Sequence, residues 1–147
     1  AAARRGECVL EMIGDGVHLA PAIVLDVFET LGRESVVLVT DAMAAAGMPD
    51  GDYVLGPAAV TVADGVARLR DGGAIAGGTA HLIDVVRTTW RGGVDLVDAV
   101  YAASCQGAEI LGDRSIGALE PGRWADLVVA DAELAPVRVL RRGEVVG

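Results

Sequence analysis

The apolar positions of this chain fall in short runs, each closed by a glycine or an acid, and the spacing inside each run predicts its element. Val9 to Ile13 is a short, mostly apolar run ending in Gly14-Asp15-Gly16-Val17-His18, which predicts a strand delivering a loop that carries a histidine. Pro21 suits the first turn of a helix. Ile23, Val24, Val27, Phe28 and Leu31 then recur at roughly helical spacing until Gly32 stops them. Ser35-Val36-Val37-Leu38-Val39-Thr40-Asp41 lacks polar alternation, as expected of a parallel strand buried on both faces. Strand, helix and strand in that order make the two strands parallel and place their C-terminal ends, with His18 and Asp41, on one edge of the sheet.

Between Gly47 and Gly73 the pattern changes to alternation broken at Asp50-Gly51, Asp64-Gly65 and Asp71-Gly72-Gly73, which predicts β-hairpins with tight turns there. The glycine-rich Ala76-Gly77-Gly78-Thr79 leads into two predicted helices. The first covers about Ala80 to Trp90 and the second about Leu96 to Leu111, with Asp95 as N-cap and Gly112 as stop. Ala125 to Ala130, Val137 to Leu140 and Glu144 to Val146 predict short antiparallel strands, with Pro136 and Arg142-Gly143 as turn residues. The chain thus divides into a βαβ segment (1–47), a β-hairpin insertion (48–75), helices (76–114) and terminal strands (115–147).

Length and composition narrow what these elements build. At 147 residues the chain is too short for a complete eight-stranded α/β barrel, which takes about 250, and at 52% hydrophobic residues it is too apolar for disorder. No apolar run approaches the ~20 residues of a membrane span, and no signal-peptide core follows the first residues, so a cytoplasmic location without a membrane partner is expected. A net charge of −9 offers no positive field to displace counterions from phosphates, which argues against a nucleic-acid partner. All twelve basic side chains are Arg, which excludes lysine Schiff-base chemistry and a P-loop lysine. Cys8 and Cys105 show no CxxC spacing and are expected to be two buried thiols in a reducing compartment.

Asp41 is the strongest chemical candidate, because a carboxylate at the C-terminal end of a buried parallel strand sits where open sheets and barrels place their ligands. Ala42, Ala44, Ala45 and Ala46 beside it are small enough to admit an approaching group. The competing role is a cap on the following turn, through backbone N–H groups. His18 can contact a substrate, donate a proton or bind a metal, or it can be a loop histidine paired to backbone. Gly77 and Gly78 can bring backbone amides to a ligand, or simply turn the chain before a helix. His81 falls inside a predicted helix as an exposed or packing residue, and Cys105, mid-helix among small residues, is a buried thiol rather than a nucleophile. Glu7, Glu11 and Asp15 form no recognised metal-ligand spacing with His18, so no metal site is complete.

Gly14-Asp15-Gly16-Val17-His18 is similar to the ADGxH signature of the N-acetylglucosamine-6-phosphate deacetylases of the amidohydrolase superfamily. Leu38 to Gly47, LVTDAMAAAG, resembles the same family's LVTDAMxAAG. Ala74 to Thr79 looks like its xLAGSx segment, and Ser115 to Val128 looks like the less specific GxIxPGxxADLV closing segment of many amidohydrolases. The resemblance runs from about Leu10 onward. It implies an α/β fold, the C-terminal part of a TIM-type (β/α)8 barrel holding its last two strands and helices, with residues 115–147 supplying strands of a small β-sandwich domain. It also implies metal-dependent removal of the acetyl group from N-acetylglucosamine 6-phosphate, a small-molecule amino-sugar phosphate, giving glucosamine 6-phosphate and acetate. Asp41 matches the general acid/base acting on metal-bound water. His18 matches a substrate-contacting histidine, and Ala76, Gly77 and Gly78 match the segment lining the sugar site. Gly78 stands where the family has Ser, so a hydroxyl contact there is lost and a backbone contact can survive.

The family holds its divalent metal ion with a Glu and two His on earlier barrel strands, and those ligands are absent here. The expectation is a C-terminal piece of a deacetylase, inactive alone. Two parallel strands from a closed barrel leave unpaired edges and an exposed apolar face, so a homo-oligomer or association with a missing N-terminal portion is expected. Two other classes fit more loosely: another amidohydrolase, dihydroorotase-like or isoaspartyl-peptidase-like, and a non-catalytic α/β remnant or interaction module.

Overall fold

A computed structural model of the chain describes residue 2 and residues 6–146, so most of the opening alanine tract lies outside the described residues. Strands β1 (Leu10–Met12) and β2 (Val36–Leu38) pair in parallel with Leu10 opposite Val36 and Met12 opposite Leu38. Helix α1 (Pro21–Leu31) makes the crossover. Pro21 starts it with its ring at the first position, and Gly32 ends it at φ 79, where the glycine amide donates to the Phe28 carbonyl. All three β2 residues are buried, as their unbroken apolar run predicts. The strand stops short of Asp41, although Val39 still donates to the Met12 carbonyl at 3.0 Å.

Strands β3 (Gly51–Leu55), β4 (Ala58–Ala63) and β5 (Val66–Leu69) form an antiparallel meander. Its turns fall at Gly56-Pro57 and Asp64-Gly65 rather than at Asp50-Gly51: Gly51 already pairs with Val62. Asp50 instead accepts from the amides of Asp64 (2.6 Å) and Gly65 (3.1 Å), so a carboxylate preceding β3 clamps the turn between β4 and β5. At Asp71-Gly72-Gly73 the chain does reverse, and Ile75 returns to bridge Arg68.

Three helices follow: α2 (Leu82–Arg91), α3 (Leu96–Ala103) and α4 (Cys105–Leu111). His81 precedes α2 as its N-cap rather than lying inside it, and its backbone N–H is accepted by Asp84. Asp95 caps α3 by accepting from Val97 and Asp98, and Gly112 stops α4 in the left-handed region. The helix expected over Leu96 to Leu111 is broken at Ser104. There the Ser104 hydroxyl and the Cys105 thiol both donate to the Gly117 carbonyl, at 3.1 and 2.8 Å, drawing the break toward the loop beyond α4. Cys105 is therefore half-buried and Cys8 is exposed, so neither is the fully buried thiol expected.

Strands β6 (Leu127–Ala130), β7 (Pro136–Arg141) and β8 (Glu144–Val145) make a second antiparallel sheet, with Pro136 opening β7 instead of turning the chain. Two apolar cores support the assembly. Met12, Val36 and Leu38 of the parallel pair pack with Val24 and Phe28 of α1 and Val85 and Ala99 of α2 and α3. Met43, Ala45 and Ala76 pack with Val60, Val62 and Ala67 of the meander.

Candidate functional site

Two loops leave the C-terminal ends of the parallel pair, and a third runs beside the second. The first, residues 14–18, follows β1. Gly14 is buried because α2 lies against it: a β-carbon there would fall 2.8 Å from the hydroxyl oxygen of Thr89. Gly16, at φ 81, turns the chain back on itself. One oxygen of Asp15, Oδ1, then accepts from the backbone N–H of Val17 (2.9 Å) and of His18 (2.8 Å), while Oδ2 lies 2.8 Å from His18 Nδ1. The Asp15 side chain is 6% exposed and the His18 side chain 17%. Burial pushes the Asp15 carboxyl up, but the N–H of His18, its ring and the N–H of Val17 together outweigh burial and hold the acid below its ordinary value. An ionised carboxylate only accepts, so Nδ1 carries the proton and donates it, which leaves Nε2 as the ring's unengaged nitrogen among the described residues. His18 is therefore paired to a side chain, not to backbone. Asp15 is the partner of His18 that motif spacing alone missed. Its signal was an Asp followed by Gly, with receptive amides two and three residues on, the pattern of an Asx turn.

The second loop follows β2. Asp41 has φ 50, a left-handed conformation that Asp tolerates better than most residues. Its carboxylate is exposed and forms no hydrogen bond or ion pair with the described residues. It does not cap the next turn. That turn is closed by backbone, Ala46 N–H to the Met43 carbonyl at 2.9 Å and Met48 N–H to Ala45 at 3.0 Å. Of the alanines expected to leave room, Ala42 and Ala44 are exposed, whereas Ala45 is wholly buried in the second core.

The third loop, Ala76-Gly77-Gly78-Thr79, runs beside the second. Gly78 donates to the Asp41 carbonyl at 2.7 Å and accepts from Met43 N–H at 3.0 Å, extending the parallel ladder by one bridge between Ala42 and Gly78. A β-carbon on Gly78 would lie 2.0 Å from the Thr40 carbonyl oxygen, so only glycine allows this approach. The methyl of Ala76 is buried in the second core and its N–H donates to Ala67. Ala76 and Gly78 thus commit their amides to the protein, and Gly77, at φ 83 and packed on Met43, is the half-buried member between them. The His81 ring lies over Gly47, where a β-carbon would meet it at 2.9 Å, which places this second imidazole against the end of the Asp41 loop.

The parallel pairing of β1 and β2 therefore sends the His18 loop and the Asp41 loop out at one edge of the sheet, and the bridge between Ala42 and Gly78 sets the Gly77-Gly78 backbone beside Asp41. Such an edge can present an acid/base to a bound molecule and an imidazole nitrogen to one of its polar groups. Among the described residues no three His, Cys, Asp or Glu side chains gather as a metal-holding group. No helix of the described residues is long and apolar enough to cross a membrane.

Comparison with known proteins adds relatives to this geometry. The sequence matches the Amidohydrolase family over residues 5–146. It is 39% identical over 137 residues to an Escherichia coli K12 protein provisionally named an N-acetylgalactosamine-6-phosphate deacetylase, covering 92% of this chain and 81% of that one. To the N-acetylglucosamine-6-phosphate deacetylase of Vibrio furnissii it is 37% identical over 141 residues, covering 95% of this chain and 35% of that protein. The structure is similar to that of a mutant N-acetyl-D-glucosamine-6-phosphate deacetylase from Mycobacterium smegmatis in complex with N-acetyl-D-glucosamine-6-phosphate. The TM-score is 0.89 at 42% identity, over 97% of this chain and 39% of the other. The chain spans most of the short K12 relative but little more than a third of the Vibrio and Mycobacterium proteins.

Proposed function

This chain belongs to the amidohydrolase family, and from that premise we propose that it forms the C-terminal acid/base portion of an enzyme that deacetylates an N-acetylhexosamine 6-phosphate, N-acetylglucosamine 6-phosphate first among them. The observation that carries this reading is the Asp41 carboxylate. It is exposed, unshared and held on left-handed backbone by the Gly78 bridge, on the edge it shares with His18.

In that role Asp41 accepts a proton from the water whose oxygen attacks the acetamide carbonyl carbon. As the carbon–nitrogen bond breaks it returns the proton to the leaving amine, so that water and amide become acetate and the amino sugar 6-phosphate. His18 contacts the sugar phosphate through the ring nitrogen that Asp15 leaves open, and Gly77, with Ala76 and Gly78 beneath it, lines the sugar side. The family is generally metal-dependent. Among the described residues no donor set makes a complete metal centre, so these residues alone do not fit the ion.

The test exchanges residues 5–146 for the matching segment of the Mycobacterium enzyme and measures acetate release from N-acetylglucosamine 6-phosphate and its galacto epimer. The isolated chain is expected to release none, and the exchanged enzyme to turn over. Asp41→Asn in the exchanged enzyme should lower kcat by about a hundredfold or more. An Asp41→Asn enzyme as fast as its parent overturns the assignment. Turnover of unphosphorylated cyclic amides in place of the sugar phosphate would favour the dihydroorotase-like class, and binding without turnover a non-catalytic module.

A further inference from the structure

We propose that Asp15 is the positioning residue of this site: it fixes which nitrogen of His18 faces the ligand, and its two oxygens divide the work between loop and ring. The identity of the ligand as an amino-sugar phosphate rests on the function proposed above, whereas the positioning itself rests on contacts within residues 14–18.

Oδ1 gathers the amides of Val17 and His18 and so sets the path of the loop, while Oδ2 takes only the ring. The carboxylate is nearly sealed from water, which strengthens both contacts. Gly14 packs against Thr89 too closely to admit a β-carbon, and Gly16 turns the loop at φ 81. A neutral His18 in this setting offers a lone pair at Nε2, which suits a hydroxyl or amide N–H of the ligand. When protonated it donates from Nε2, which suits an anionic oxygen, with the positive charge balanced by Asp15. The carboxylate therefore makes one imidazole serve either kind of polar group without reorienting.

The chain has only two histidines, which makes the test direct. A two-bond proton–nitrogen correlation spectrum of the nitrogen-15-labelled chain reports the protonated nitrogen of each ring, with His81→Gln assigning the pair. At a pH where the ring is neutral, His18 is expected to be protonated at Nδ1 and bare at Nε2. In Asp15→Asn the amide oxygen can keep the two backbone N–H groups while its NH2 faces the ring, so the two ring nitrogens should exchange their protonation. A His18 protonated at Nε2 in the unmodified chain overturns the proposal, and that measurement stands even if the variant does not fold. An unchanged tautomer in a folded Asp15→Asn chain overturns it equally. In the exchanged enzyme the same variant should lower kcat/KM about tenfold to a hundredfold, as loss of a carboxylate that orients a working imidazole does. Asp41→Asn should leave the His18 spectrum unaltered. Failure of the deacetylase reading would therefore appear in turnover alone, and failure of the positioning role in the spectrum.

Discussion

A β-carbon at position 78 would press to 2.0 Å against the carbonyl oxygen of Thr40, whereas one at position 107, within α4, would meet nothing within 4 Å. The same substitution should act in opposite directions at the two sites. Gly78→Ala forces backbone apart where Gly78 bonds both Asp41 and Met43, and the usual cost of overpacking is about 1–3 kcal/mol. Gly107→Ala only reduces the freedom of the unfolded chain and improves helix propensity, and should add about 0.5–1 kcal/mol. Thermal melts of the two variants check the signs, and amide exchange at Met43 checks that the loss at position 78 begins at the Asp41 loop. Two stabilised variants would show that the bridge between Ala42 and Gly78 does not hold that loop.

At the scale of elements, Arg87 ties the terminal sheet to the helices. Its Nε donates to the Glu133 carbonyl at 2.9 Å and Nη2 to the Leu134 carbonyl at 2.6 Å, while Nη1 pairs with Asp84 one turn back on α2. Arg87→Lys keeps the charge but loses the planar fork that reaches two carbonyls at once. It should cost about 1.5–3 kcal/mol and speed amide exchange in the connection between β6 and β7 more than in α2 itself. Uniform exchange changes across the chain would place the loss elsewhere. Contacts of this range mark where pattern reading ends. The βαβ unit was legible because its cause is local: Pro21 and Gly32 delimit α1, and an unbroken apolar run makes β2 a buried strand. The Asp95 and Gly112 caps were legible for the same reason. The break at Ser104 was not, because it depends on Gly117, and the clamp on the turn after β4 was not, because Asp50 supplies it from 14 residues away. Within the site, motif spacing singled out Asp41 and His18 but not Asp15, whose contacts with Val17 and His18 depend on the turn that Gly16 makes at φ 81.

Across the described residues the molecule has two cores, and neither includes a residue of β6, β7 or β8. Adjacent strand residues point to opposite faces of a sheet, and Val128 and Val129 are both exposed, as are Val137 and Val145, so apolar side chains meet water on both faces of the terminal sheet. Three strands without a packed face are marginal by themselves. The parallel pair adds a second exposed feature, because β1 has β2 on one side and no strand on the other among the described residues. Together these surfaces predict that the isolated chain self-associates. Sedimentation velocity over a hundredfold concentration range should show a rising weight-average coefficient, and an apolar-sensitive dye should bind the chain below its association range. Val128→Thr combined with Val137→Thr leaves both cores intact while making the terminal sheet more polar, so it should reduce dye binding and shift association to higher concentration. If the double variant associates as its parent does, the contact runs through the strand edge; a single monomer boundary for the parent at every concentration would show that neither surface drives it.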